Sequence, residues 1–189
     1  MIDLFFVDAS TPPLFAVADD LRAQVRVDDV GENSLLMAQA MAAQMHIERV
    51  TGRRLTERTA TATVEAWAVY RLMAAPCTVT AVGYTDAVGA PAVLPETDWV
   101  VRPWGGDMAL LRLAVGASAP TLGDDGVISV TATLGYAEND CPEPLRLAAL
   151  LLTGHWYRNR EAVVVGVASA VLPKAVDELI APYRVSWLA

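Results

Sequence analysis

A single lysine, Lys174, stands among 189 residues, and the chain holds only two histidines and two cysteines. Each scarcity removes a class of function. A P-loop needs a lysine after its glycine-rich turn, and none follows one here. The G-x-G-x-x-G and G-x-S-x-G signatures are absent as well. His46 and His155 fall in different helical patterns without an H-x-x-x-H partner, so a metal site lacks converging ligands. Cys77 and Cys141 form no spacing motif and read as two reduced thiols. No cofactor is expected.

Long apolar runs are missing too. The longest, residues 162–172, has 11 residues between Glu161 and Lys174, and a membrane span needs about 20. No basic stretch opens the chain, and Asp3 and Asp8 bracket its first apolar run, so neither a signal peptide nor membrane association is expected. Positive charge is also short: net charge is −8, from 14 basic and 22 acidic residues. Residues 59–139 carry 8 acids and 3 bases, whereas residues 140–189 carry 5 of each. Without a basic patch to neutralise phosphates, sequence-independent DNA binding is not expected.

What the chain has in excess is apolar residues, 54% of the total, with a mean hydropathy of +0.35. That is high for a soluble protein, even though much of it is alanine. With no span to absorb the excess, it points to contacts between subunits.

Periodicity divides the chain in three. Phe15, Val17, Leu21 and Val25 suggest a short helix. Leu36, Ala40, Ala43, Ile47 and Val50 lie on one stripe and predict a helix over residues 33–51. Asn33 or Ser34 can cap it, and Gly52 suits the left-handed position past its end. From residue 59 the period becomes two, predicting a long strand over residues 59–69. Further strands are expected at 78–84, 99–102, 108–113 and 127–134, about five in all. Helix resumes near Asp140, which has capping-box spacing to Glu143, and Leu145, Ala148, Ala149, Leu152 and Trp156 make its stripe. Residues 176–180 form a last short helix. The expected class is α+β: a small helical bundle from residues 14–58 and 140–161, with an antiparallel β module inserted over 59–139. Residues 1–13 read as an irregular tail, and residues 162–189 as a C-terminal docking arm.

Two local features invite chemistry. Cys141 starts a helix whose dipole is expected to lower its pKa, but His155 lies about 21 Å along the same helix, too far for proton transfer. Trp104, in a glycine-rich turn, is the tryptophan expected to be most exposed, with core packing the ordinary reading of Trp67 and Trp99. A small thiol enzyme using Cys141 and a monomeric binding module with a ligand near Trp104 therefore stand as alternatives.

Two stretches carry a resemblance. The first runs through Leu21, Arg22, Val27, Asp28, Leu35, Leu36, Ile47, Glu48, Thr51, Gly52 and Arg53. The second runs through Pro142, Leu145, Ala148, Leu151, His155, Trp156, Tyr157, Asn159, Arg160, Glu161, Leu172, Pro173, Leu179, Pro182, Tyr183 and Arg184. In wording and order they resemble the head–tail connector (head-completion adaptor) family of tailed phages. The closer likeness is to its longer branch with a β insertion, also found in prophages and gene transfer agents. The chain departs from that pattern in its longer start and in Thr133, Leu134, Gly135 and Tyr136, where Ala-Gly-Tyr is more usual.

The resemblance implies a structural, non-enzymatic protein in the neck of a phage-like particle, assembled in the bacterial cytoplasm. It implies a ring of about twelve copies closed by head-to-tail contacts. That ring would join the portal protein to a stopper or tail-side protein and let DNA pass. Trp156, Tyr157, Arg160, Leu172, Pro173, Pro182, Tyr183 and Arg184 are the expected assembly contacts. Asp28, Asp29, Asp124 and Asp125 are the expected lining of an acidic channel that would repel the duplex.

Overall fold

The computed structural model describes residues 1–104, 108–124, 126–159 and 173–185. Two compact units emerge, one of strands and one of helices.

The β unit is built from Met1–Pro12 and Glu57–Tyr136. Its strands are β1 (Ile2–Leu4), β2 (Val7–Asp8), β3 (Arg58–Val64), β4 (Tyr70–Leu72), β5 (Cys77–Thr85), β6 (Pro91–Val93), β7 (Trp99–Pro103), β8 (Ala109–Leu113) and β9 (Ile128–Leu134). They form a four-stranded sheet, β1-β4-β8-β7, and a five-stranded sheet, β2-β3-β9-β5-β6. All pairings are antiparallel except β1 with β4.

Strand β9 explains the core. Ile128, Val130, Ala132 and Leu134 point inward, while Ser129, Thr131 and Thr133 alternate outward. The inward row meets Ala60 and Ala62 from β3 and Tyr70, Leu72 and Leu111 from the other sheet. One apolar core therefore lies between the two sheets.

Three details differ from the sequence expectation. The long strand predicted over residues 59–69 stops at Val64, and the chain re-enters as β4 in the other sheet. Alternation persists across that corner, so a period of two does not register it. Residues 1–12 supply one edge strand to each sheet, held by Asp3 to Arg71 at 2.5 Å and Asp8 to Arg58 at 3.3 Å. Nine strands occur among the described residues where about five were expected. The additional ones, β1, β2, β4 and β6, have two or three residues each, too few to show a period.

The helical unit comprises Pro13–Thr56 and the described part of Ala137–Arg184. Its helices are α1 (Ala18–Val25), α2 (Asn33–Thr51), α3 (Glu143–Arg158) and α4 (Lys174–Ile180). Helices α2 and α3 pack on each other, and Leu36, Ala40, Ala43 and Ile47 on α2 and Leu145, Ala148, Ala149 and Leu152 on α3 are all fully or almost fully buried, with Leu36 and Ala40 joining Leu21 and Val25 of α1. Val176 and Ile180 bury α4 against α3.

The caps are not the expected ones. Neither Asn33 nor Ser34 caps α2. Asp29 instead accepts from the Gly31 amide at 2.8 Å and caps a 3-10 turn, Val30–Glu32, that leads into the helix. Asn33 is already engaged, accepting from Arg22 at 2.8 Å and tying α1 to α2. At the far end Gly52 has φ 74° and donates to Glu48, as its position demanded. Asp140 does not cap α3, because Pro142 occupies the cap position and Asp140 lies two residues outside it.

A buried polar knot fixes where the chain enters and leaves this unit. Gln44 Nε2 reaches the Pro13 carbonyl at 3.0 Å, Glu48 Oε1 at 3.2 Å and Thr56 Oγ1 at 3.1 Å. Its Oε1 accepts from the Phe15 amide at 3.0 Å, and Glu48 accepts from Leu55 at 2.9 Å. A satisfied network of this kind specifies one packing, since each orphaned member would carry its desolvation cost.

Candidate assembly surface

The end of α3 bears the first expected contact residues. Trp156 is half-buried and presents its ring edge-on to His46 of α2, with centroids 6.2 Å apart and planes at 83°. Tyr157 is half-buried against the cluster of Leu21, Val25, Leu36 and Ala40, and its hydroxyl donates to Glu32 at 3.4 Å. Both side chains thus hold α3 to the rest of the unit. Beyond them Asn159 turns its amide back onto the His155 carbonyl at 2.8 Å, closing the helix end. Arg160 and Leu172, with the apolar run between them, lie outside the described residues.

The described chain resumes at Pro173, which precedes α4. Tyr183 is half-buried. Its carbonyl accepts from Arg53 Nε at 2.7 Å, and the Arg53 guanidinium lies over its ring, 5.7 Å from the centroid. Arg184 pairs with Asp177 at 2.5 Å across the last turn. Pro182 and Arg184 are exposed. The segment is therefore anchored through Val176, Ile180 and Tyr183 and presents Pro182 and Arg184 outward.

Asp28 and Asp29 are exposed together between α1 and α2. Asp124 is exposed in the β unit, in the turn before β9, and Asp125 lies outside the described residues.

The thiols are not activated. Burial, reinforced by Glu143, pushes the Cys141 pKa up to about 11, against the lowering expected from the helix dipole. At that value roughly one molecule in ten thousand is a thiolate at pH 7. Burial carries Cys77 to about 12. No group of three or more His, Cys, Asp or Glu converges among the described residues. No helix among them is long and apolar enough to cross a membrane. Trp104 is half-buried rather than freely exposed. Its ring is covered by the Arg71 guanidinium at 5.4 Å, and Arg71 is itself held by Asp3. An apolar pocket in the β unit is lined by Trp67, Tyr70, Trp99 and Leu111 and offers little polar contact to orient a ligand.

Sequence periodicity passed over the outer face of α2. From Asn33 to Ile47 the helix carries no charged residue, and Leu35, Met37 and Met45 are exposed on it. The signal was an absence: a surface helix ordinarily bears charge on the side away from its core.

No protein-family model matches the sequence, and no curated protein does. Solved structures do match. A chain in the neck of an empty GTA particle computed with C6 symmetry is 24% identical, with a TM-score of 0.79 over 98% of this chain and 97% of that one. A chain in the virion of the native gene transfer agent (GTA) particle is 24% identical at a TM-score of 0.76, over the same shares of both chains. A chain in the neck of the native GTA particle computed with C12 symmetry is 23% identical at 0.75, again over the same shares. The likeness shows a shared fold.

Proposed function

We propose that the protein is a structural adaptor in the neck of a phage-like particle. About twelve copies form a ring by head-to-tail contacts, joining the portal protein to a stopper or tail-side protein. DNA passes through without specific binding. One observation carries this reading: a chain in the neck of a gene transfer agent particle shares this fold at a TM-score of 0.79 over 98% of the present chain. The apolar surplus, the net charge of −8 and two thiols held protonated agree with it. Pro173, Pro182 and Arg184 are the proposed portal contacts, together with Arg160 and Leu172. Tyr183 contributes by holding that segment in place, and Trp156 and Tyr157 by holding the end of α3 from which the chain leaves towards it. Asp28, Asp29, Asp124 and Asp125 are proposed to lie along the channel, the first two at the seam between neighbouring copies.

Capture by a tagged portal protein from the same particle tests the reading. The full chain is expected to be retained, and a chain lacking residues 162–189 to be lost. Equal retention of the truncated chain would move the portal contact elsewhere. Failure of the full chain to bind portal, stopper or tail-side protein would remove the adaptor reading.

A further inference from the structure

The charge-free side of α2 requires a cover. Ser34, Leu35, Met37, Ala38, Met41, Ala42 and Met45 make up its outward side. Met37, Met41 and Met45 lie four residues apart along one row, and Ser34, Ala38 and Ala42 form the row beside it. Leu35 is 37% exposed, Met37 46% and Met45 57%. Small residues flanked by flexible thioethers let another helix approach closely and adapt to it. Depletion of charge at the centre of such a patch is the compositional mark of a protein contact. Charge returns only at its ends, with Asp28 and Asp29 before the helix and Arg49 after the stripe, all three exposed.

A second helix in the same unit has a matching outer side. On α3, Leu147 is 42% exposed and Leu151 half-exposed, one turn apart. Exposed Glu143 stands at the start of this row and exposed Arg158 at its end. The α3 row from Glu143 to Arg158 spans about 22 Å and the α2 stripe from Asn33 to Arg49 about 24 Å at 1.5 Å per residue, with the Asp28–Asp29 turn lying beyond the start of α2.

We infer that the outer face of α2 in one copy packs antiparallel on the outer face of α3 in the next copy. Arg49 then meets Glu143 of the neighbour, and Asp28 with Asp29 meets its Arg158. The parallel orientation would set acid against acid and base against base, so charge selects the direction while the apolar stripe supplies the contact area. Two different faces meet, so each copy keeps one of each free for a further neighbour. That is the arrangement a closed ring requires. The inference rests on the ring reading above and gives it an interface.

The test uses the full chain assembled on its portal protein, with ring formation counted by electron microscopy. Ring formation by the unaltered chain is the control for the reading itself. Its absence would overturn both the ring and this contact. Ala42→Glu places a charge at the centre of the stripe on an exposed position. It is expected to lower the fraction of ringed portals at least tenfold, with an unchanged circular dichroism spectrum and melting temperature. Arg49→Glu and Glu143→Arg are each expected to reduce ring formation severalfold, and the double variant to restore it. Intact rings with Ala42→Glu would overturn the α2 contact. Loss of rings in Ala42→Glu without recovery in the charge-swapped double variant would overturn α3 as the partner. Single copies of Ala42→Glu that no longer bind portal at all would assign the α2 face to the portal instead.

Discussion

Arg53, one residue past the glycine that ends α2, holds Tyr183 twice, by a 2.7 Å bond to its carbonyl and by a guanidinium 5.7 Å from its ring centroid. The two residues are 130 positions apart, and the pair ties the last described turn to the first long helix. A charged donor on a half-buried carbonyl plus a ring contact contributes about 2 kcal/mol. Arg53→Ala is expected to lower stability by that amount and to expose residues 174–184 to trypsin at Lys174 and Arg184. Arg53→Lys keeps the charge but lacks the planar fork, so it should recover only part of the loss. Equal trypsin resistance in Arg53→Ala and the unaltered chain would remove the anchoring role.

The Gln44 knot makes a second prediction. Gln44→Ala leaves the Phe15 amide without its acceptor and deprives the Pro13 carbonyl, Glu48 and Thr56 of a donor, all within one buried patch. The expected cost is roughly 2–4 kcal/mol in urea unfolding. Met45→Ala, at the next position but facing outward, should change stability by less than about 0.5 kcal/mol. Similar losses at the two positions would mean that the knot is not what fixes the chain ends.

His46 sets a pH dependence. Burial first, and then Arg49, hold its pKa below the ordinary 6.5. The unfolded chain therefore takes up a proton at a higher pH than the folded chain. This contribution is intact above pH 6.5 and is lost as pH falls below it, towards the lowered folded value. Stability should decline from pH 7 to pH 5.5, and His46→Gln should flatten that slope. A slope unaffected by the substitution would assign it to other groups.

The cysteines titrate at the opposite end. Their folded pKa values, about 11 for Cys141 and about 12 for Cys77, lie above the unfolded value near 9. The folded state therefore favours the protonated thiols. Stability is unaffected below pH 9 and falls as pH rises towards 11 and 12. Alkylation of the native chain at pH 8 should be far slower than that of the urea-unfolded chain. Cys141→Ser should leave ring formation unchanged. A fast-reacting native Cys141, or assembly lost with the serine, would reopen the thiol reading.

Long regular elements were legible in the sequence. The stripe from Leu36 to Ile47 and Gly52 marked α2 with its end, and the alternation from Ile128 to Leu134 marked β9, because each repeats a burial choice several times. The four shortest strands give no such repetition. Their place is set by partners far along the chain, as Asp3 is by Arg71. The corner after Val64 was hidden because alternation continued through it. Asp140 has a cap's spacing to Glu143, but Pro142 takes the cap position. At the candidate surface, Trp156 and Tyr157 stood out by type, but whether an aromatic faces a neighbour or its own core depends on His46 and Glu32, which sequence spacing does not bring near. The outer face of α2 had been legible as missing charge, a signal that a search for motifs passes over.

The most direct measurement is the mass of the complex formed between this chain and the proposed portal partner, taken by native mass spectrometry. An adaptor ring predicts one chain for each portal subunit, about twelve in all, with few partly filled species because each contact favours the next. Portal rings that carry no bound chain, or one or two copies at saturation, would contradict it.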